Sequence, residues 1–144
     1  TDFLFFNSDG ESRVRGVEGE VRWIWHPGSE LALNYTFTEP QGEGAIRIPK
    51  HKLNVSARSQ LGKKLQATVR YSFTGKRTDT DFSTFTPVEL EGFSLIDLRL
   101  DYTFKPGRLS AFIGIDNVLN TQYTEVLGFT TPGRNLLLGW SLKL

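Results

Sequence analysis

The chain contains no cysteine. That absence excludes disulfide staples, thiolate metal sites and cysteine nucleophiles. Histidine is nearly absent too, with only His26 and His51. Charge of one sign is also missing. Seventeen Lys and Arg face sixteen Asp and Glu, a net charge of +1, so phosphate neutralisation cannot drive binding to nucleic acid. No stretch reaches the roughly 18 continuous apolar residues of a membrane helix, and no helical period of useful length occurs. The first residue is Thr1 and no signal peptide leads the chain, so a mature form or a piece of something longer is expected. Its 144 residues suit one domain, 1–144. With 38% hydrophobic residues the chain is too apolar for a disordered one.

What is present is alternation with period two, the signature of strands. Val17, Val21, Trp23 and Trp25 alternate with Glu18, Glu20, Arg22 and Ile24. Leu31, Leu33, Tyr35 and Phe37 repeat the pattern, as do Leu53, Val55 and Ala57, and then Leu65, Ala67, Val69, Tyr71 and Phe73. Even positions follow: Ile96, Leu98, Leu100, Tyr102 and Phe104. Leu109, Ala111, Ile113 and Ile115 continue, and Leu136 to Leu144 closes the chain. Phe3 to Phe6 is a shorter run. The expectation is an all-β, antiparallel up-and-down sheet of about eight strands. All six prolines, from Pro27 to Pro132, are expected between strands, because proline cannot donate to a ladder.

The connections are unequal. Tight turns are expected at His26–Glu30, Leu61–Lys64 and Lys105–Arg108. Between them fall long polar segments: 7–13, 39–50, 75–91 and 117–133. In a meander this puts short turns at one end and long loops at the other, as in outer-membrane barrels.

Period two does not say which face meets water, but three features do. The lysines, Lys50, Lys52, Lys63, Lys64, Lys76, Lys105 and Lys143, lie in loops, in turns or at strand ends. The polar face instead carries Asn34, Thr36, Asn54, Ser56, Gln66, Thr68 and Arg70, which suit a water-lined interior. Aromatics on the apolar face gather at strand ends: Trp23, Trp25, Tyr102 and Phe104 before short turns, and Tyr35, Phe37, Tyr71 and Phe73 before long loops. Such rings prefer the headgroup level of a bilayer. The apolar face is therefore expected to meet lipid, in a closed transmembrane β-barrel. The competing reading is a soluble sandwich or small-ligand-binding barrel with that face inside.

Several segments resemble one family. Leu90–Tyr102 and Gly114–Tyr123, followed by Thr131–Asn135, are similar to late strands of TonB-dependent outer-membrane receptors. Val14–Glu20 and Arg47–Asn54 resemble earlier segments of the same barrel. The closest likeness is to the vitamin B12 and siderophore receptor branch. Residues 137–144 resemble the outer-membrane assembly signal, through Gly139, Leu142 and Leu144, although Leu137 and Leu144 depart from its usual residues. The resemblance implies a Gram-negative outer membrane and uptake of an iron–siderophore, cobalamin or similar scarce nutrient. It also implies that the chain is the C-terminal part of the barrel, without the plug domain and the segment that engages TonB. Such a segment is not expected to transport alone. Its partners would be outer-membrane lipid, the plug and the rest of the barrel. Two cut edges, near Phe3–Phe6 and Leu136–Leu144, should close on each other or associate with another copy. The other reading is a stand-alone eight-stranded barrel with a structural or adhesive role.

Chemistry is sparse. No Ser-His-acid set, G-x-S-x-G elbow, H-E-x-x-H or EF-hand spacing occurs, so neither an enzyme nor a cofactor is expected. His26 and His51 read as structural. Asp79 and Asp81, with Glu89 and Glu91, are weak candidates for Ca²⁺, and the family resemblance adds relatives that bind calcium in outer loops. Phe82, Phe85, Tyr123, Phe129 and Arg134 are candidates for ligand contact in outer loops, although Arg134 is better read as bracing a loop. Glu18, Glu20, Arg22, Arg58, Arg70, Asp97, Arg99 and Asp101 read as an ion-pair ladder on the polar face, or alternatively as contacts to a plug.

Overall fold

The structure is a computed structural model describing residues 13–42 and 45–143. Among these, every predicted strand forms. β1 (Arg13–His26), β2 (Ser29–Gln41), β3 (His51–Leu61) and β4 (Leu65–Thr74) run as a meander. After an excursion, β7 (Phe93–Lys105), β8 (Leu109–Asp116) and β9 (Asn135–Leu142) extend the same sheet. The order is β1-β2-β3-β4-β7-β8-β9, antiparallel throughout.

The register aligns the apolar positions across the sheet. Val21 pairs with Leu33, Leu33 with Val55, and Val55 with Tyr71. Tyr71 pairs with Ile96, and Leu98 with Ile115, which faces Leu136. Opposed residues share a face, so these rows form one continuous apolar surface. That surface is uncovered. Trp23 is 60% exposed and Trp140 is 74% exposed, and Leu90 is the one buried hydrophobic residue among the described residues. A soluble sandwich or ligand barrel would bury this face, and here it is uncovered. Trp23 and Trp25 (5.6 Å between ring centroids), and Tyr102 and Phe104 (4.8 Å), mark its short-turn end. At the other end Tyr35 Oη lies 2.8 Å from His51 Nδ1, with Phe37 against the same imidazole. His51 is thus part of the aromatic belt.

The opposite face carries the ion-pair ladder. Glu30 bridges Arg22, at 2.6 Å, and Arg58. Arg70 faces Asp97 at 3.9 Å, and Arg99 grips Asp101 at 2.8 Å. Glu18 accepts from the Asn34 amide at 2.6 Å.

Two expectations need correction. Residues 75–91 are not one irregular loop. They contain a hairpin, β5 (Arg77–Asp81) and β6 (Thr86–Leu90). Its strands mix Thr and Val with acids, so no apolar alternation announces them. Pro40 lies within β2 and Pro87 within β6, not between strands. Pro40 falls beyond the last β2–β3 pair, Phe37 with His51, where β2 has one ladder neighbour; β6 pairs only with β5. Proline is tolerated at such edges. Among the described residues β1 pairs only with β2 and β9 only with β8, so the sheet is open and seven-stranded. The eighth strand, Phe3–Phe6, through which the sheet edges are expected to close or associate, lies outside the described residues together with Leu144.

Candidate functional site: a clasp joining three long loops

The long loops lie at one end of the sheet and are tied together by β5. Asp79 is the one fully enclosed side chain among the described residues. Its Oδ1 accepts from Thr80 N (2.8 Å) and Arg47 Nε (2.8 Å), and its Oδ2 accepts from Leu127 N (2.9 Å). Arg47 belongs to the β2–β3 connection and Leu127 to the β8–β9 connection. One carboxylate therefore joins three loops. The bond from Leu127 N holds its pKa below the ordinary aspartate value, helped by Thr80 N and Arg47 against the opposing effect of burial.

Arg77, two residues earlier, is 5% exposed. Its Nη2 donates to the carbonyls of Thr124 (2.5 Å) and Glu125 (3.0 Å), and its guanidinium lies 5.3 Å from the Phe93 ring centroid. Phe93 in turn packs on Tyr123 at 4.3 Å. Desolvation, reinforced by Glu125 and Asp97, raises the Tyr123 phenol above its ordinary pKa. The Arg47 backbone adds a bond from its N–H to Thr78 O at 2.7 Å.

The β8–β9 loop is itself built on two asparagines. Asn117 (φ 49°) and Asn120 (φ 53°) take left-handed backbone, which asparagine tolerates. Asn117 is buried; its side chain accepts from Thr121 N and donates to Thr121 O, and its own N–H donates to Asp97. Asn120 Oδ1 accepts from Arg134 N at 2.9 Å, pinning the far end of the loop. A Cβ on Gly133 would lie 2.8 Å from that same oxygen. The asparagine, Pro-Gly and arginine pattern therefore orders a loop. Arg134 braces through its backbone, while its side chain is exposed.

The other candidates divide. Asp79 does not meet Asp81, whose carboxylate instead accepts from Ser83 N and Oγ in the hairpin turn. Among the described residues no group of three or more His, Asp or Glu is arranged to hold a metal. Phe82 is 62% exposed, with the Arg47 guanidinium 5.8 Å from its ring centroid. Phe85, at the hairpin turn with φ 56°, and Phe129, at the tip of the β8–β9 loop, are more exposed still. Tyr123 is the loop aromatic packed inward. Phe85 also lines a cavity of about 590 Å³ between the hairpin and residues 40–50, together with Ile46, Lys50 and Thr80. Gly139 and Leu142 lie on β9, Leu142 on the apolar face opposite Leu109. Sequence reading assigned no role to Arg47, Arg77 or Asn117. Arg47 and Asn117 lie in segments that carry the family resemblance, and nothing marks Arg77.

The meander, the outward apolar face, the two aromatic belts and the long loops at one end define a sector of a transmembrane β-barrel wall. Residues 1–118 match the family model described as TonB dependent receptor-like, beta-barrel, and the chain belongs to that family. Solved structures share the fold. The closed form of the ferric-catecholate import receptor Fiu from E. coli superposes with a TM-score of 0.79 at 19% identity, over 99% of this chain and 22% of that one. The pyoverdine outer membrane receptor FpvA of Pseudomonas aeruginosa gives 0.76 at 19%, over 92% and 22%. The siderophore receptor PirA of Acinetobacter baumannii gives 0.75 at 14%, over 88% and 21%. The chain spans about a fifth of the length of these receptors. It is a protein of the Gram-negative outer membrane.

Proposed function

We propose that the chain forms the C-terminal wall sector of a TonB-dependent receptor that imports a ferric siderophore. The clasp carries this reading. It holds three long loops together above a polar wall, which is what a mouth that admits a ligand needs. Of the three solved structures named above, PirA is described as a siderophore receptor, Fiu as a ferric-catecholate import receptor and FpvA as a pyoverdine receptor, which favours a ferric siderophore over a corrinoid. On this reading the ion-pair ladder faces the plug, β1 and β9 pair with the rest of the barrel, and Phe82, Phe85, Phe129 and Arg134 stand at the mouth. Gly139, Leu142 and Leu144 serve assembly, and the sector alone does not transport.

The test is uptake by cells whose one high-affinity receptor is the full-length protein, grown under iron restriction. Energised uptake of radioactive iron from a ferric siderophore is the expected result. Uptake of a corrinoid with none of any ferric siderophore would overturn the substrate class.

A further inference from the structure

Beside the clasp is a cavity of about 280 Å³, lined by Arg47, Lys52, Thr74, Arg77, Glu125 and Val126 among others. We propose that it binds a single oxyanion group, a carboxylate or a phosphate. The first observation is Arg77. Its Nη2 is saturated by two carbonyls, but its Nη1 is enclosed and has no acceptor among the described residues. That nitrogen is closed off from the cavity, so Arg77 acts on an oxyanion bound there through its charge and not through a hydrogen bond.

The second observation is the register. Lys52 and Thr74 are direct cross-strand partners at the last β3–β4 pair, on the polar face. An ammonium and a hydroxyl are thus placed at the rim of the same cavity. The third is charge. Arg47 is matched by Asp79, which leaves Lys52 and Arg77 against Glu125. The cavity holds a surplus positive charge, and charge-assisted bonds to an oxyanion are the strong ones. Its volume is below that of drug-sized sites, so it takes one anionic group and not a whole metal chelate. The group comes either from a free anion or from an acidic arm of the imported ligand. Its position at an aqueous mouth rests on the function proposed above.

The experiment uses the purified full-length receptor in detergent. Inorganic phosphate is titrated calorimetrically against chloride at matched ionic strength. Saturable phosphate binding is expected, weakened about tenfold by Lys52→Gln, the loss of one charge-assisted bond. Glu125→Gln should strengthen it, because a competing carboxylate is removed while the backbone carbonyl that holds Arg77 remains. A ferric siderophore with a pendant carboxylate, compared with its methyl ester, separates the two sources. Competition with phosphate by the acid alone assigns the site to the ligand's arm. Competition by neither assigns it to a free anion. Absent phosphate binding, or binding indifferent to both substitutions, overturns the site even if ferric siderophore uptake is intact. Corrinoid uptake with phosphate binding retained overturns the function and spares the site.

Discussion

Gly139 on β9 is the seat for the ring of Phe112 on β8. The two are direct cross-strand partners, and a Cβ on Gly139 would fall 2.2 Å from Phe112 Cε1. The Arg99 guanidinium carbon lies 3.7 Å from the centroid of the same ring. The bare backbone thus lets an aromatic lie flat on the polar face, and the ring joins β7, β8 and β9. In the full-length receptor Gly139→Ala should cost about 1–3 kcal/mol through overpacking. Phe112→Leu in the same chain should recover part of that. Unfolding midpoints in guanidinium chloride, scored by the heat-modified gel shift, report both. A Gly139→Ala receptor as stable as the parent rules out the packing role.

Asp79→Ala should release the three loops from one another. Each stranded buried donor costs about 1–3 kcal/mol, so the amides of Leu127 and Thr80 should exchange at least tenfold faster with deuterium. Membrane insertion should persist, because the clasp lies beyond the strands that cross. Unchanged exchange at Leu127 would show that the loop is held by something else.

The same carboxylate sets an acid limit on the clasp. Its folded pKa is depressed, chiefly by Leu127 N. Its contribution is therefore complete above the ordinary aspartate pKa of about 3.9 and is lost as pH falls from there toward the folded value. Protection of the Leu127 amide, corrected for intrinsic exchange, should be flat above pH ~5 and fall below pH ~4. Protection that declines between pH 8 and 6 would point to a different group.

The two faces should respond unequally to charge. Leu98, at mid-sheet on the apolar face, is predicted to lose about 2–4 kcal/mol on substitution by arginine, the cost of a cation at the bilayer midplane. Asn54→Lys, on the polar face between Asn34 and Ser72, should cost less than about 1 kcal/mol. Folding titrations into lipid vesicles measure both; equal costs would mean that neither face meets lipid alone, and a larger cost for Asn54→Lys that the faces are assigned the wrong way round.

Asn117→Val combines two losses, the left-handed backbone and the pair of bonds to Thr121. Together these should cost about 2–4 kcal/mol in local stability. The expected readout is faster cleavage of residues 117–134 by an added protease on intact cells. Asn117→Gly, which keeps the backbone but not the bonds, should fall between.

Much of the wall could be read from the chain alone. Seven runs of alternating residues became seven strands, because the pleat assigns each side chain to a face from its parity and nothing further away is needed. Turn and loop lengths divided the two ends for the same local reason. The β5–β6 hairpin was hidden because its alternating partners, such as Thr78 and Asp79 or Val88 and Glu89, are not segregated into apolar and polar.

The clasp depended on the fold. Asp79 meets Arg47 across 32 residues and Leu127 across 48, separations at which no period connects them. From the sequence Asp79 was a loop acid with a weak claim on calcium, and only the docking of three loops gave it the Leu127 amide and the Arg47 guanidinium. Gly139 likewise stood out as a glycine in a terminal strand, but its need for Phe112 arises from the β8–β9 register. Alternation determined which way each strand faces. Loop packing and register determined what those residues touch, since hydrogen bonds and ring contacts act over a few ångströms of space whatever the distance along the chain.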